Sequence, residues 1–154
     1  MMGATGASVG SVLLAAAVLL GPGIANPQRA HTNWVLNCQG CHRADATGSP
    51  KGAPNMAGEV AKFLSVKGGR EFLGRVPGVA NAPLPDDQLA ELVNWLLLTF
   101  DRRHLPKDFA AYTANEIGRL RAQVLINDAA TVRARLLAKM QRSGFNDNGQ
   151  AKRK

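Results

Sequence analysis

The sequence predicts an all-α domain of short helices, and three observations predict it. Apolar residues recur at i, i+3 and i+4 in several stretches, no segment alternates polar and apolar residues over a strand's length, and Gly and Pro clusters cut the chain into helix-sized pieces. With 154 residues the chain closes one core and leaves no room for a second independent domain. Five Phe, two Trp and one Tyr are few aromatic residues for such a core, so a large flat apolar cofactor would supply burial that the side chains do not.

The chain opens with 25 residues that carry no ionisable side chain. An apolar stretch from Val9 to Leu20, a Gly21-Pro22-Gly23 break, and small Gly23 and Ala25 at the minus-three and minus-one places before Asn26 read as a secretory signal over 1–25. The lack of Lys and Arg ahead of the apolar run leaves an uncleaved membrane anchor as the alternative. The run is about 12 residues, short of the roughly 20 that span a bilayer. Export therefore leads to a periplasmic protein, soluble after cleavage.

A helix follows from about Thr32, as its N-cap, into a cysteine-rich turn. Gly48, Pro50, Gly52 and Pro54 make 43–58 a loop. A helix over 58–66 puts Val60, Phe63 and Leu64 on one face, Gly68-Gly69 ends it, and a short helix covers about 70–75. Three prolines and a glycine make 76–85 an extended loop. Residues 86–100 form the clearest helix, with a stripe of Leu89, Leu92, Val93, Leu96, Leu97 and Phe100 and with Asp86 and Asp87 at the positive end of its dipole. Thr113-x-x-Glu116 is a capping box that opens a helix containing Ile117, Leu120 and Val124. A basic helix over 129–141 and a polar tail over 144–154 complete the chain. The organisation is thus a signal (1–25), a helical domain (26–104) and a helical C-terminal extension with a basic tail (105–154).

The net charge of +8 comes from 19 Lys and Arg against 11 Asp and Glu. A basic field accelerates encounter with acidic protein faces, and it also suits peripheral association with anionic lipid headgroups. The positive charges are scattered among Asp and Glu without a dense basic helix or aromatic interleaving, which argues against nucleic acid as partner.

The chemistry lies in Cys38-Gln39-Gly40-Cys41-His42. On a helical turn the two cysteines are i,i+3 neighbours and His42 is i+4 from Cys38, so all three side chains share a face. That arrangement suits one covalent haem c: each thiol adds to a haem vinyl group, and the adjoining imidazole reaches the iron. Three other readings stand beside it. Zinc needs four donors, and only His31 and His104 remain to supply more; a thioredoxin-like pair needs a strand-helix-strand setting; a plain disulfide would leave His42 incidental.

Over roughly residues 32–100 the sequence resembles class I c-type cytochromes, the mono-haem cytochrome c family. Four features line up in order: Trp34 four residues before the first cysteine, the motif Cys38 to His42, the segment Gly52-Ala53-Pro54-Asn55-Met56-Ala57-Gly58, and the Leu84-Pro85-Asp86-Asp87 entry to an apolar helix. The resemblance implies a cytochrome c-like helical fold around one covalently attached haem, with first and last core helices crossing near Trp34 and Trp95. It implies Cys38 and Cys41 as thioether residues, His42 as the axial iron ligand, and Pro54 as the residue whose carbonyl accepts a hydrogen bond from that imidazole.

The family's sixth ligand is usually a methionine in the loop before the last core helix. Here Val76-Pro77 stands at that place, and valine has no donor atom. Met56 is the only methionine between His42 and Asp86, but the alignment puts it on the histidine side of the haem. His104, water or no ligand are the other readings, and His31 is a weaker one. Arg70 and Arg75 are candidates to pair with haem propionates by two-point guanidinium–carboxylate contact, against plain solvation. The function expected is non-enzymatic electron transfer by iron cycling between ferric and ferrous, with acidic redox partners. Two alternatives stand: a haem protein whose open sixth site binds a small ligand or performs peroxidase-like chemistry, and a haem subunit of a periplasmic dehydrogenase docked through 105–154.

Overall fold

The computed structural model describes residues 26–50 and 52–143, which form helices and no strand. The signal over 1–25 and the tail over 144–154 lie outside the described residues. Seven α-helices are described: α1 (Pro27–Asn37), α2 (Gln39–His42), α3 (Gly69–Arg75), α4 (Pro77–Ala80), α5 (Asp86–Phe100), α6 (Ala114–Arg121) and α7 (Ala129–Arg142). Two 3-10 helices, Val60–Ser65 and Arg102–His104, join them.

α1 begins five residues earlier than Thr32. Pro27 takes the first helical position, where its missing N–H costs nothing, and the Asn26 side chain accepts from the Arg29 N–H at 2.9 Å. Thr32 therefore sits inside the helix, with its hydroxyl donating to the Gln28 carbonyl at 3.0 Å. The 58–66 segment is 3-10 rather than α, and its Ala61 N–H donates to Asp101 Oδ2 at 2.8 Å. Residues 76–85 are not wholly extended: Pro77, at a helix start, opens the single turn of α4.

α1 lies across α5, tied by Arg29 Nε to Glu91 Oε2 at 2.8 Å and by Asn33 to Gln88 at 3.2 Å. Trp34, Leu89, Leu92 and Leu97 are each almost fully buried, worth about 1.5–3 kcal/mol apiece relative to exposure. The same apolar cluster runs on into the C-terminal segment through Tyr112, Ile117, Leu125, Leu136 and Met140. Asn94 on α5 holds both backbone groups of Tyr112, donating to its carbonyl at 3.0 Å and accepting from its N–H at 2.8 Å. The Thr113 hydroxyl accepts from the Glu116 N–H at 3.2 Å, which is the N-cap half of a capping box, while the Glu116 carboxylate is held by Arg70. α6 ends at Arg121, so Val124 lies beyond it.

Candidate functional site

The helix of α1 breaks at Cys38, whose φ of −129° ends one run before α2 begins the next. The turn is nonetheless closed, because the Cys41 and His42 N–H groups both donate to the Cys38 carbonyl, at 3.1 and 3.0 Å. Both cysteines are free thiols. Cys38 packs against the core and Cys41 is exposed. Burial, and then the neighbouring Cys41, push the Cys38 thiol up to about 11, so it remains protonated at neutral pH. No three His, Cys, Asp or Glu side chains among the described residues converge as a metal cluster.

After His42 the chain turns back on itself through a set of positive-φ residues. Arg43 and Ala46 adopt φ of 64° and 61°, and Gly48 follows at 71°. Gly48 N–H donates to the His42 carbonyl at 3.0 Å, Ser49 N–H to the Ala53 carbonyl at 3.0 Å, and Met56 N–H to the Ala46 carbonyl at 2.9 Å. This fold-back brings Pro54 to His42, which sequence distance alone would not do. Burial lowers the His42 pKa, and the Pro54 carbonyl acts in the opposite sense, as an acceptor facing the ring does. The buried Nδ1 nevertheless closes no hydrogen bond of normal geometry with a protein acceptor, and neither does the buried Trp34 Nε1. A Cβ on Gly48 would overlap the Ala53 carbonyl and lie 2.8 Å from the Pro54 carbonyl oxygen, so only glycine permits the approach.

The rings of Trp34 and His42 lie 6.0 Å apart, and Trp34 meets Trp95 at 6.3 Å and Phe100 at 5.0 Å. The expected helix crossing is therefore formed by Trp34 and Trp95. Two unpaired thiols and one imidazole on a single turn, beside a buried aromatic face, match the donor set of a covalently bound haem.

The chain is 32% identical over 130 residues to a protein named Cytochrome c-552 from Thermus thermophilus, covering 87% of that protein and 73% of this chain. The chain belongs to the class I c-type cytochromes. A second Cytochrome c-552 from Thermus thermophilus is 32% identical over 106 residues, covering 81% of that protein and 57% of this chain. No protein-family model matches the chain, and no solved structure does. As a c-type cytochrome the protein carries covalent haem c and works in electron transfer.

Other residues of this cytochrome depart from expectation. Arg70 is held within the protein: its Nε and Nη2 hold the two Glu116 oxygens at 2.6 and 2.7 Å, its Nη1 donates to the Ala110 carbonyl, and its guanidinium lies 4.0 Å from the Tyr112 ring centroid. Arg75 donates to the Gln123 carbonyl at 2.7 Å. Both are committed to the C-terminal segment. His104 is fully buried, with Nδ1 2.5 Å from Asp101 Oδ1, so reaching the iron would require dismantling that pair. His31 is exposed, its ring 5.6 Å from that of Trp95. The buried Asp101–His104 pair and the Asn94–Tyr112 bonds carried no sequence signal beyond the presence of polar residues in or after an apolar helix.

Proposed function

We propose that this cytochrome is an exported mono-haem electron carrier in which Cys38 and Cys41 form the two thioethers, His42 is the axial ligand and Pro54 orients its ring. The observation that carries the reading is the pair of free cysteines and the histidine closed on one turn, with Pro54 folded back onto that histidine. When bound, the haem supplies a one-electron ferric/ferrous couple, and the protein supplies attachment, a low-dielectric wall and docking charge. Leu36, 74% exposed beside the attachment turn, offers an apolar contact where a redox partner with an acidic surround can approach. The support for export is the apolar leader over 1–25.

A second reading has its own observation. The 76–85 loop contains no Met, His, Lys or Cys, and its only side-chain donor atoms are those of Asn81. Met56 is two residues from Pro54 and its N–H donates to the Ala46 carbonyl at 2.9 Å, which supports the reading that sets it on the histidine side. An iron lacking a protein ligand on its other side would take water or a small exogenous molecule, which supports ligand binding alongside electron transfer.

Voltammetry and absorption of the holoprotein test both. A reversible one-electron couple with no catalytic current on adding peroxide supports the carrier. Carbon monoxide binding to the ferrous form supports the open site. A ferrous spectrum indifferent to carbon monoxide would remove the second reading and leave the first.

A further inference from the structure

One side chain of the C-terminal segment commands the loop before α5, where the resemblance to the family leads one to expect a sixth iron ligand. Arg121, the last residue of α6, donates from Nε to the Ala80 carbonyl at 3.0 Å, from Nη2 to the Ala82 carbonyl at 2.5 Å, and from Nη1 to the Leu84 carbonyl at 2.7 Å and Asp86 Oδ1 at 3.0 Å. A single planar guanidinium thus satisfies three carbonyls of one loop and the first carboxylate of α5.

Few backbone bonds of its own hold the loop. Pro83 and Pro85 have no N–H, and after α4 its own bonds are Asn81 N–H to Pro77 carbonyl at 3.0 Å, Ala82 N–H to Val79 carbonyl at 3.1 Å and Leu84 N–H to Ala82 carbonyl at 2.8 Å, beside the burial of Ala80 and Ala82. α6 is seated at close range to make the reach: a Cβ on Gly118 would lie 2.5 Å from Asp86 Oδ2, and one on Gly74 would lie 2.6 Å from Leu120 Cδ1. The Arg121 side chain is 21% exposed and its bonds are partly buried, although the Asp86 side chain is 45% exposed.

We infer that Arg121 is a positioning residue for the sixth side of the iron, clamping 80–84 in the absence of an iron–methionine bond that would otherwise anchor this loop. The inference rests on the reading of His42 as axial ligand. Its consequence is that the C-terminal segment sets how readily a small ligand reaches the iron, because the loop can neither deliver a donor nor swing away while the clamp is closed.

The test combines hydrogen exchange with carbon monoxide binding on the ferrous holoprotein. In Arg121→Ala the amides of Ala80, Asn81, Ala82 and Leu84 are expected to exchange at least about tenfold faster, and the carbon monoxide association rate to change about threefold or more, with haem still attached. Arg121→Lys keeps the charge but not the fork and is expected to fall between, and it decides the matter if the alanine variant does not fold. Arg119→Ala, exposed on the same helix, is expected to change neither. Unaltered exchange and unaltered ligand kinetics in the folded Arg121 variants would overturn the inference, as would equal effects from Arg119→Ala. A colourless wild-type protein whose loop still responds would instead overturn the haem reading beneath it.

Discussion

At His42 two effects compete, and burial is the larger. Desolvation disfavours the imidazolium more than the Pro54 carbonyl favours it, so the folded-state pKa lies below the ordinary 6.5. The sign for stability follows: the contribution is present above pH 6.5 and is lost as the pH falls through the lowered value. An acid titration of the haem-free protein, with the His42 ring followed by NMR, is therefore expected to protonate that ring below pH 6.5. A midpoint at or above 6.5 would contradict the burial of this ring. Gly48 gives a second residue-scale prediction. Gly48→Ala puts a side chain at φ 71° and into the Ala53 and Pro54 carbonyls, and is expected to cost at least about 1–3 kcal/mol and to alter the haem absorption, read by denaturant melts and spectra. The cysteine and histidine spacing was legible in the sequence because it is local. The partners of Arg70 and Arg75 were not, because a guanidinium's mate is whatever the fold sets across from it, here Glu116 and the Gln123 carbonyl, more than forty residues away.

Among the elements, α5 was readable to the residue, since a continuous apolar stripe with two aspartates at its start leaves one way to place a helix. α1 was misread at its start because Asn26-Pro27 is the stronger start signal: the proline fixes φ and the asparagine caps. The Val60–Ser65 segment has a helical face but is held by Asp101 from the far end of α5, a contact that periodicity does not reveal. Asn94 shows how α5 recruits the C-terminal segment. Asn94→Leu leaves the buried Tyr112 N–H and carbonyl without partners, and the expected destabilisation is about 2–4 kcal/mol, seen as a lower denaturant midpoint. A loss under about 0.5 kcal/mol would mean that the segment after α5 is held chiefly by apolar packing.

Over the whole molecule, the net charge of +8 is the property most open to a simple kinetic test. Oxidation of the ferrous protein by ferricyanide, an anion, is expected to slow several-fold as salt rises from about 0.01 to 0.15 M, because screening shortens the reach of the field. Oxidation by a cationic cobalt complex is expected to quicken over the same range. Rates indifferent to salt for both would show that the positive charge is distributed away from the place where electrons leave.

Intact mass and colour under denaturing conditions test the attachment itself, on protein made with a working cytochrome maturation system. Material heavier than the polypeptide by one haem, still coloured after acidified-solvent extraction, with that mass lost in the Cys38→Ala/Cys41→Ala double variant, is the predicted result. A bare-polypeptide mass for the unsubstituted protein, or haem retained covalently by the double variant, would contradict the assignment of these two sulfurs.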